Sequence, residues 1–201
     1  MIPITIATED ELSEAIARKL ISFYTDFQVE QTLRKGGFGY LKANLKNFFE
    51  LANHTPVFLI TDLDQINCAP TLLQAWKATV NIAQPKNMLF RVAVRETEAW
   101  LLADSKNCGT LLNTSKIPSQ VDNLLDPKRT LLELAKRASR EIRQGLVAQD
   151  GALAIQGLEY NYLLSQFVKN QWNPEIARQQ SASLDKTCSR LKEMNSRLKA
   201  A

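Results

Sequence analysis

The stretch Val57-Phe58-Leu59-Ile60-Thr61-Asp62-Leu63-Asp64 decides the fold predicted for this chain. After Pro56, residues 57–61 are apolar or β-branched without interruption, and two aspartates follow them. A short continuous run of this kind is typical of a strand that is buried on both faces of a parallel sheet. The stretch therefore predicts a central strand with carboxylates placed directly after its carboxyl end.

Strand and helix patterns alternate around this run. We predict further strands over residues 2–8, 27–33 and 88–94. We predict helices over residues 13–22, 42–51, 70–82 and 96–103. Such alternation favours an α/β fold with a mostly parallel, doubly wound sheet.

The second half of the chain has a different pattern. Apolar residues recur there at helical spacing over 127–138, 160–169 and 184–198. We therefore predict an α/β core over residues 1–105 and a helical C-terminal extension, residues 106–201, packed on that core. Because apolar residues exposed on these helices are suited to a dimer contact, the question whether the chain forms a homo-oligomer stays open.

The bulk composition limits the class of protein. The 201 residues are 45% hydrophobic and 23% charged, which is ordinary for a globular protein with one sizeable core. A net charge of +4 permits a nucleic-acid partner without requiring one. Three widely spaced cysteines and a single histidine, His54, argue against a disulfide framework, a zinc site and nuclease chemistry based on histidine. Without a visible signal peptide or a run of ~20 apolar residues, we expect a cytoplasmic protein that does not enter the membrane.

Acidic residues follow two of the predicted strands. Glu9 comes after the first strand, and Asp62 and Asp64 come after the run 57–61. Ligands of open parallel sheets bind beyond the carboxyl ends of the strands, and residues two apart in extended chain point the same way. Paired carboxylates repel unless they share a cation, and a ligand set of oxygens favours Mg²⁺ or Mn²⁺. The pattern predicts a metal site, although Asp-x-Asp as a solvated turn or helix cap stays open.

Two further acids and one lysine are candidates for the same site. Glu96 and Glu98 follow the predicted strand 88–94. They either add to the acidic edge of the sheet or lie at a helix N-terminus, where the macrodipole favours acids. Lys128, which follows an Asp-Pro pair, is the lysine that we expect to reach the active site.

A glycine-containing segment over residues 34–40 has two interpretations. It is a flexible turn, or it is a mobile loop whose backbone N–H groups contact phosphate while Phe38 or Tyr40 stacks on a base. The residues predicted to contact the substrate are Arg34, Lys35, Gly37 and Arg95.

Three segments resemble the motifs of Toprim domains. Ile6-Ala7-Thr8-Glu9-Asp10-Glu11-Leu12-Ser13-Glu14-Ala15 looks like the first Toprim motif of the OLD-type nucleases, and residues 59–64 look like the Toprim Asp-x-Asp motif. Residues 90–104 are similar to a segment of small stand-alone Toprim-like bacterial proteins, the RloB-like group among them. Those proteins are commonly encoded beside an ABC-like AAA ATPase in phage-defence cassettes. The three motifs occur in the same order, and the resemblance covers residues 1–130.

The resemblance implies a Toprim-like fold and a Mg²⁺-dependent nuclease of DNA or RNA, tRNA included, that works with an ATPase partner in antiphage defence. It implies that Glu9 is a catalytic acid or metal ligand, that Asp62 and Asp64 are metal ligands, and that Glu14 is a ligand at a second metal site.

One position departs from the Toprim pattern, because Asp10 stands where these proteins usually carry glycine. This departure motivates an alternative function, a binding or regulatory subunit that kept the fold without turnover. A phosphatase of the haloacid-dehalogenase type or a nucleotide-sugar transferase is a further alternative. The phosphatase is disfavoured because its motif needs Thr or Val where Ile66 stands.

Overall fold

The computed structural model describes residues 2–34, 36–149 and 153–200, and within these residues the chain forms four β-strands and eleven α-helices. The strands are β1 (Ile2–Ala7), β2 (Phe27–Leu33), β3 (Val57–Asp62) and β4 (Met88–Ala93). The helices are α1 (Glu11–Tyr24), α2 (Gly37–Ala43), α3 (Leu45–Leu51), α4 (Ala69–Lys77), α5 (Thr97–Ala103), α6 (Ser105–Leu111), α7 (Pro127–Ala135), α8 (Arg140–Leu146), α9 (Tyr160–Asn170), α10 (Pro174–Ala177) and α11 (Ala182–Lys199). None of these helices is both long and apolar enough to cross a membrane.

All strand pairs of the sheet are parallel, and the strand order is β2-β1-β3-β4. The chain moves from β1 to one side to form β2, and then crosses to the other side of β1 to form β3 and β4. The carboxyl ends of β1 and β3 therefore border the topological switch point, where open α/β sheets bind their ligands. The expectation of an α/β fold with a parallel sheet is confirmed.

The central strand β3 is buried on both faces, as its uninterrupted apolar run predicts. Phe58 and Ile60 enter the core on the side of α1, α5, α9 and α11, while Val57 and Leu59 enter the core formed with α2, α3 and α4. All four side chains are fully buried. Burial of an aliphatic or aromatic side chain of this size stabilises the fold by about 1.5–3 kcal/mol, so this short strand anchors both layers.

Helix α1 begins at once after β1 because Asp10 caps it. The Asp10 carboxylate accepts from the Ser13 N–H at 2.8 Å, and the Ser13 hydroxyl in turn accepts from the Asp10 N–H at 3.1 Å. This reciprocal capping box satisfies two backbone donors at the helix start. The turn leaves Glu9 between the strand and the helix, at the edge of the sheet.

The second half of the described chain is helical and packs against the sheet layer. Helix α9 packs on α1, and α11 packs beside β4. The Trp172 indole N–H donates to the backbone oxygen of Trp100 at 3.0 Å, and the Trp100 indole N–H donates to the Ser183 hydroxyl at 2.8 Å. One continuous buried cluster contains strand residues such as Ile60 together with these tryptophans.

Several short helices differ from the predicted pattern. The helix expected over 42–51 is two helices, α2 and α3, which meet at Asn44, and α2 already begins at Gly37. Helices α6, α8 and α10 were not predicted, because four to seven residues are too few to display helical periodicity. The helix expected to reach residue 82 ends at Lys77.

Candidate functional site

Glu9 bridges the switch point between the first and third strands. Its Oε1 atom accepts hydrogen bonds from the hydroxyl of Thr61 and from the N–H of Asp62, the latter at 3.0 Å. Burial raises the pKa of Glu9; the two hydrogen bonds oppose that rise, and the charges of Asp64 and Asp10 add to it. The structure thus brings Glu9 to the end of β3, as the parallel-sheet argument predicts.

Asp62 is the last residue of β3 and is linked to the next helix. Its Oδ1 atom accepts from the N–H of Thr97, the first residue of α5, at 3.0 Å. Its pKa is raised well above the ordinary value, first by burial and then by the charges of Glu98, Glu9 and two further aspartates, Asp10 and Asp64. Acids from the ends of three strands therefore act on one carboxyl group.

Asp64 and Arg95 hold the turn after β3 from both sides. The Asp64 N–H donates to the Arg95 backbone oxygen at 2.9 Å, and the Arg95 guanidinium donates to the backbone oxygens of Asp64 and Ile66 at 2.9 and 3.1 Å. Both residues have left-handed backbones, with φ of 49° for Asp64 and 39° for Arg95. Non-glycine residues adopt this region at an energetic cost, and such strain concentrates at functional sites. One nitrogen of the Arg95 guanidinium, Nη1, thus holds the chain that carries Asp64, and substrate binding by Arg95 stays a prediction.

Glu96 and Glu98 both turn toward the second half of the chain. Glu96 Oε2 accepts from the Lys128 N–H at the start of α7, at 2.8 Å, and burial raises the pKa of Glu96 to about 7. Glu98 is buried and accepts from the Tyr160 hydroxyl at 2.6 Å. Glu96 occupies the N-cap position of α5 and Glu98 lies in its first turn, so both acids also have the helix N-terminal placement that the macrodipole favours.

Lys128 lies beside these acids, and its reach into an active site stays a prediction. Its Nζ atom is 3.9 Å from Glu98 Oε1 and 4.8 Å from the centroid of the Tyr160 ring. About a quarter of its side chain is exposed, at 27%. Asp126 caps α7 and Pro127 is its first residue, so the start of the helix, and with it the position of Lys128, is well defined.

Glu14 and Arg34, two other predicted site residues, contact each other. Glu14 Oε2 accepts from the Arg34 guanidinium at 3.0 Å, and Glu14 Oε1 accepts from Arg18 at 2.8 Å. Both oxygens of Glu14 therefore have positively charged partners in place of the second metal expected there. Metal binding by Glu14 and substrate binding by Arg34 stay predictions, and Lys35 lies outside the described residues.

The glycine-containing segment leads into a helix whose two aromatic rings have partners within the protein. Gly37 has a left-handed backbone, with φ of 68°, and begins α2. The Phe38 ring meets the Trp76 ring edge-on at 5.0 Å between centroids, and Tyr40 meets Phe48 at 6.2 Å. Both rings are partly buried against the second core, and their stacking on a base stays a prediction.

Asp10, the departure from the Toprim pattern, directs its carboxylate to its own helix. Its backbone is extended, with φ of −143°, which any residue adopts without strain. The Ser13 hydroxyl donates to its Oδ1 atom at 2.6 Å. The side chain at this position therefore serves helix capping, and the chain has no conformational need for glycine there.

The chemistry of this donor set fits a hard divalent cation. It consists of carboxylate oxygens whose charges oppose one another, and Mg²⁺ and Mn²⁺ prefer such ligands. Among the residues that the structure describes, no three acidic, cysteine or histidine side chains already surround a common point as metal ligands. Glu9 and Asp62 each turn toward a protein N–H instead, as the hydrogen bonds to Asp62 and Thr97 show. Each of these hydrogen bonds uses one oxygen of its carboxylate, so an ion would bind through the other oxygen or replace the donor.

Sequence patterns did not reveal the roles of Thr61 and Tyr160. Thr61 is the last residue of the run 57–61, where a β-branched residue predicts a strand but does not indicate that its hydroxyl contacts Glu9. Tyr160 is 62 positions away from Glu98, and no local signal links them.

Comparisons of this chain with protein-family models, with curated proteins and with solved structures found no match.

Proposed function

We propose that this chain is a Mg²⁺- or Mn²⁺-dependent phosphodiesterase of nucleic acids, a nuclease with a Toprim-like fold. The observation that carries the proposal is the placement of Glu9 against the N–H of Asp62 at the switch point of a parallel sheet. That contact joins the acids of β1 and β3, and Asp62 also experiences the charge of Glu98 after β4. A cluster of like charges is costly unless a cation compensates it, and acids perturbed in this way concentrate at functional sites.

The proposed roles follow from position. Glu9, Asp62 and Asp64 are the residues that would hold the metal, with Glu98 adjoining them. A bound divalent ion supplies charge neutralisation at the phosphate and a water that is more easily deprotonated. Lys128 places an ammonium group beside the acids, where it would contact a phosphate oxygen. Glu96, with a pKa of about 7, is able to accept or donate a proton near neutral pH.

The biological setting of this activity is proposed from sequence resemblance. The Toprim-like motifs at 6–15, 59–64 and 90–104 support a nuclease of DNA or RNA, tRNA included, that works with an AAA/ABC-like ATPase in antiphage defence. Exposed apolar side chains near the start of α9, such as Leu158 and Tyr162, are consistent with a protein partner or a homo-oligomer.

A second candidate is the catalytically impaired binding or regulatory subunit. The observation that favours it is that Glu9, Asp62 and Glu98 each already accept a hydrogen bond from the protein. In this case the acids would stabilise the fold or a partner contact, and metal would bind weakly or not at all.

The test uses metal-stripped protein with plasmid DNA and with tRNA as separate substrates. We expect cutting on addition of Mg²⁺ or Mn²⁺, and we expect Asp62→Ala to abolish it. Glu30→Gln, which changes an exposed acid on β2, is the control and should cut like the unchanged chain. Metal-dependent cutting that survives in Asp62→Ala would overturn the proposal. If the protein neither cuts nucleic acid nor binds metal but still forms a complex with the proposed ATPase partner, the second candidate, a regulatory subunit, would be favoured.

A further inference from the structure

Tyr160 is a buried residue of the helical half that reaches the acidic site. It is the first residue of α9, its side chain is 1% exposed, and it lies in the core shared by the sheet and the C-terminal helices. Its hydroxyl donates to Glu98 Oε1 at 2.6 Å, a short distance that is typical of a charge-assisted hydrogen bond. The contact therefore joins α9 to α5 at the edge of the sheet.

The same tyrosine also supports Lys128. The Lys128 ammonium lies 4.8 Å from the ring centroid, within the range of a cation–π interaction, and 3.9 Å from Glu98 Oε1. The backbone N–H of Lys128 is held separately by Glu96. The ring and the carboxylate together restrict the rotamers of the Lys128 side chain, and the backbone contact fixes the position from which it starts.

Glu98 needs such a donor because of its surroundings. It is buried, and its charge acts on Asp62 at the end of β3. A buried carboxylate beside another carboxylate keeps one orientation only when a donor satisfies it. The Tyr160 hydroxyl satisfies one carboxylate oxygen of Glu98, Oε1.

We propose that Tyr160 is a positioning residue of this site, whose hydroxyl orients Glu98 and whose ring supports the Lys128 ammonium. The inference rests on the proposed function, since it assigns a role in the same site. It also means that the helical half contributes to the site through α7 and α9. Helices α7 and α9 are then part of the active centre as well as of the core.

The variants separate the two contacts. Tyr160→Phe removes the hydroxyl and keeps the ring, while Tyr160→Leu removes both. Tyr162→Phe is the matched control, because Tyr162 is on the same helix and is 58% exposed. Urea unfolding of each full-length variant establishes that it is folded before any other measurement.

The first readout is Mn²⁺ affinity, measured by calorimetry on metal-stripped protein, which does not depend on turnover. We expect Tyr160→Phe to weaken Mn²⁺ binding about 10-fold, in the range seen when residues that orient metal ligands are changed. The second readout is kinetics, where kcat should fall about 10- to 100-fold with KM for nucleic acid unchanged. Tyr162→Phe should match the unchanged chain in both.

The third readout reports the ring contact without metal. The NMR signals of the Lys128 methylene next to nitrogen should be shifted by the Tyr160 ring in the unchanged chain. They should stay shifted in Tyr160→Phe and return to ordinary values in Tyr160→Leu.

The possible results distinguish this inference from the proposed function. A folded Tyr160→Phe with unchanged Mn²⁺ affinity overturns the positioning role. A wild-type protein that binds Mn²⁺ but cuts no nucleic acid overturns the nuclease proposal. In that case the effect of Tyr160→Phe on Mn²⁺ affinity still decides the role of Tyr160. An unchanged chain that binds no Mn²⁺ overturns both.

Discussion

Replacement of Glu96 by glutamine should stabilise the metal-free protein at alkaline pH. Burial raises the pKa of this carboxyl to about 7, and the charges of Glu98 and Asp126 act in the same direction. In the unfolded chain the pKa is close to the ordinary 4.5. Glutamine keeps the oxygen that accepts from the Lys128 N–H and removes only the charge.

The sign of the effect follows from proton binding. Because the folded-state pKa of Glu96 is the higher one, the folded protein binds more protons than the unfolded chain between pH 4.5 and about 7. Stability therefore falls as pH rises through this window, and above pH 7 the cost of ionising Glu96 is complete. A rise from 4.5 to about 7 corresponds to ~3.4 kcal/mol before solvent screening, and the partial exposure of Glu96 reduces this to ~1–2 kcal/mol.

Urea unfolding in the presence of EDTA measures this difference. We expect Glu96→Gln to exceed the unchanged chain in free energy of unfolding by ~1–2 kcal/mol at about pH 8, and by a small fraction of that at about pH 5. Glu30→Gln, on the exposed side of β2, should show no such pH-dependent gain. A Glu96→Gln protein that is less stable than the unchanged chain at pH 8, or a gain that does not vary with pH, would refute the reasoning.

Three further outcomes are expected from the same structure. Thr61→Val removes a hydroxyl that donates to Glu9 and should lower the free energy of unfolding by about 1–3 kcal/mol in urea, since the partly buried Glu9 carboxylate loses one of its two donors; an unchanged midpoint would contradict this contact. Gly157→Ala places a Cβ 2.3 Å from a backbone oxygen and should cost about 1–3 kcal/mol, whereas Gly39→Ala, with open space around it, should not destabilise the protein. Asp62→Asn should raise the thermal midpoint of the metal-free protein at neutral pH, because burial raises the pKa of Asp62. The same change should abolish the stabilisation that Mg²⁺ gives the wild-type protein. Equal Mg²⁺ stabilisation of both proteins would show that Asp62 is not a ligand.

The location of the acidic site could be predicted from sequence because it depends on strand direction. Once the run 57–61 indicates a buried parallel strand, the residues after it and after the first strand must lie at the same edge of the sheet. The hydrogen bond from the Asp62 N–H to Glu9 confirms that they meet. The strand Phe27–Leu33 was also predicted with both of its ends, because turn-forming and polar residues interrupt the apolar pattern on each side.

The sequence by itself determined the layers of this protein, since hydrophobic period and strand direction are local properties that adjacent residues encode. Only the tertiary structure decided how individual side chains are used. Arg95 holds the turn at Asp64, Phe38 packs on a tryptophan, and Tyr160 reaches Glu98 across 62 positions. The physical reason is that a long side chain takes the partner that packing brings within reach, and the partners of these three residues come from other elements of the fold.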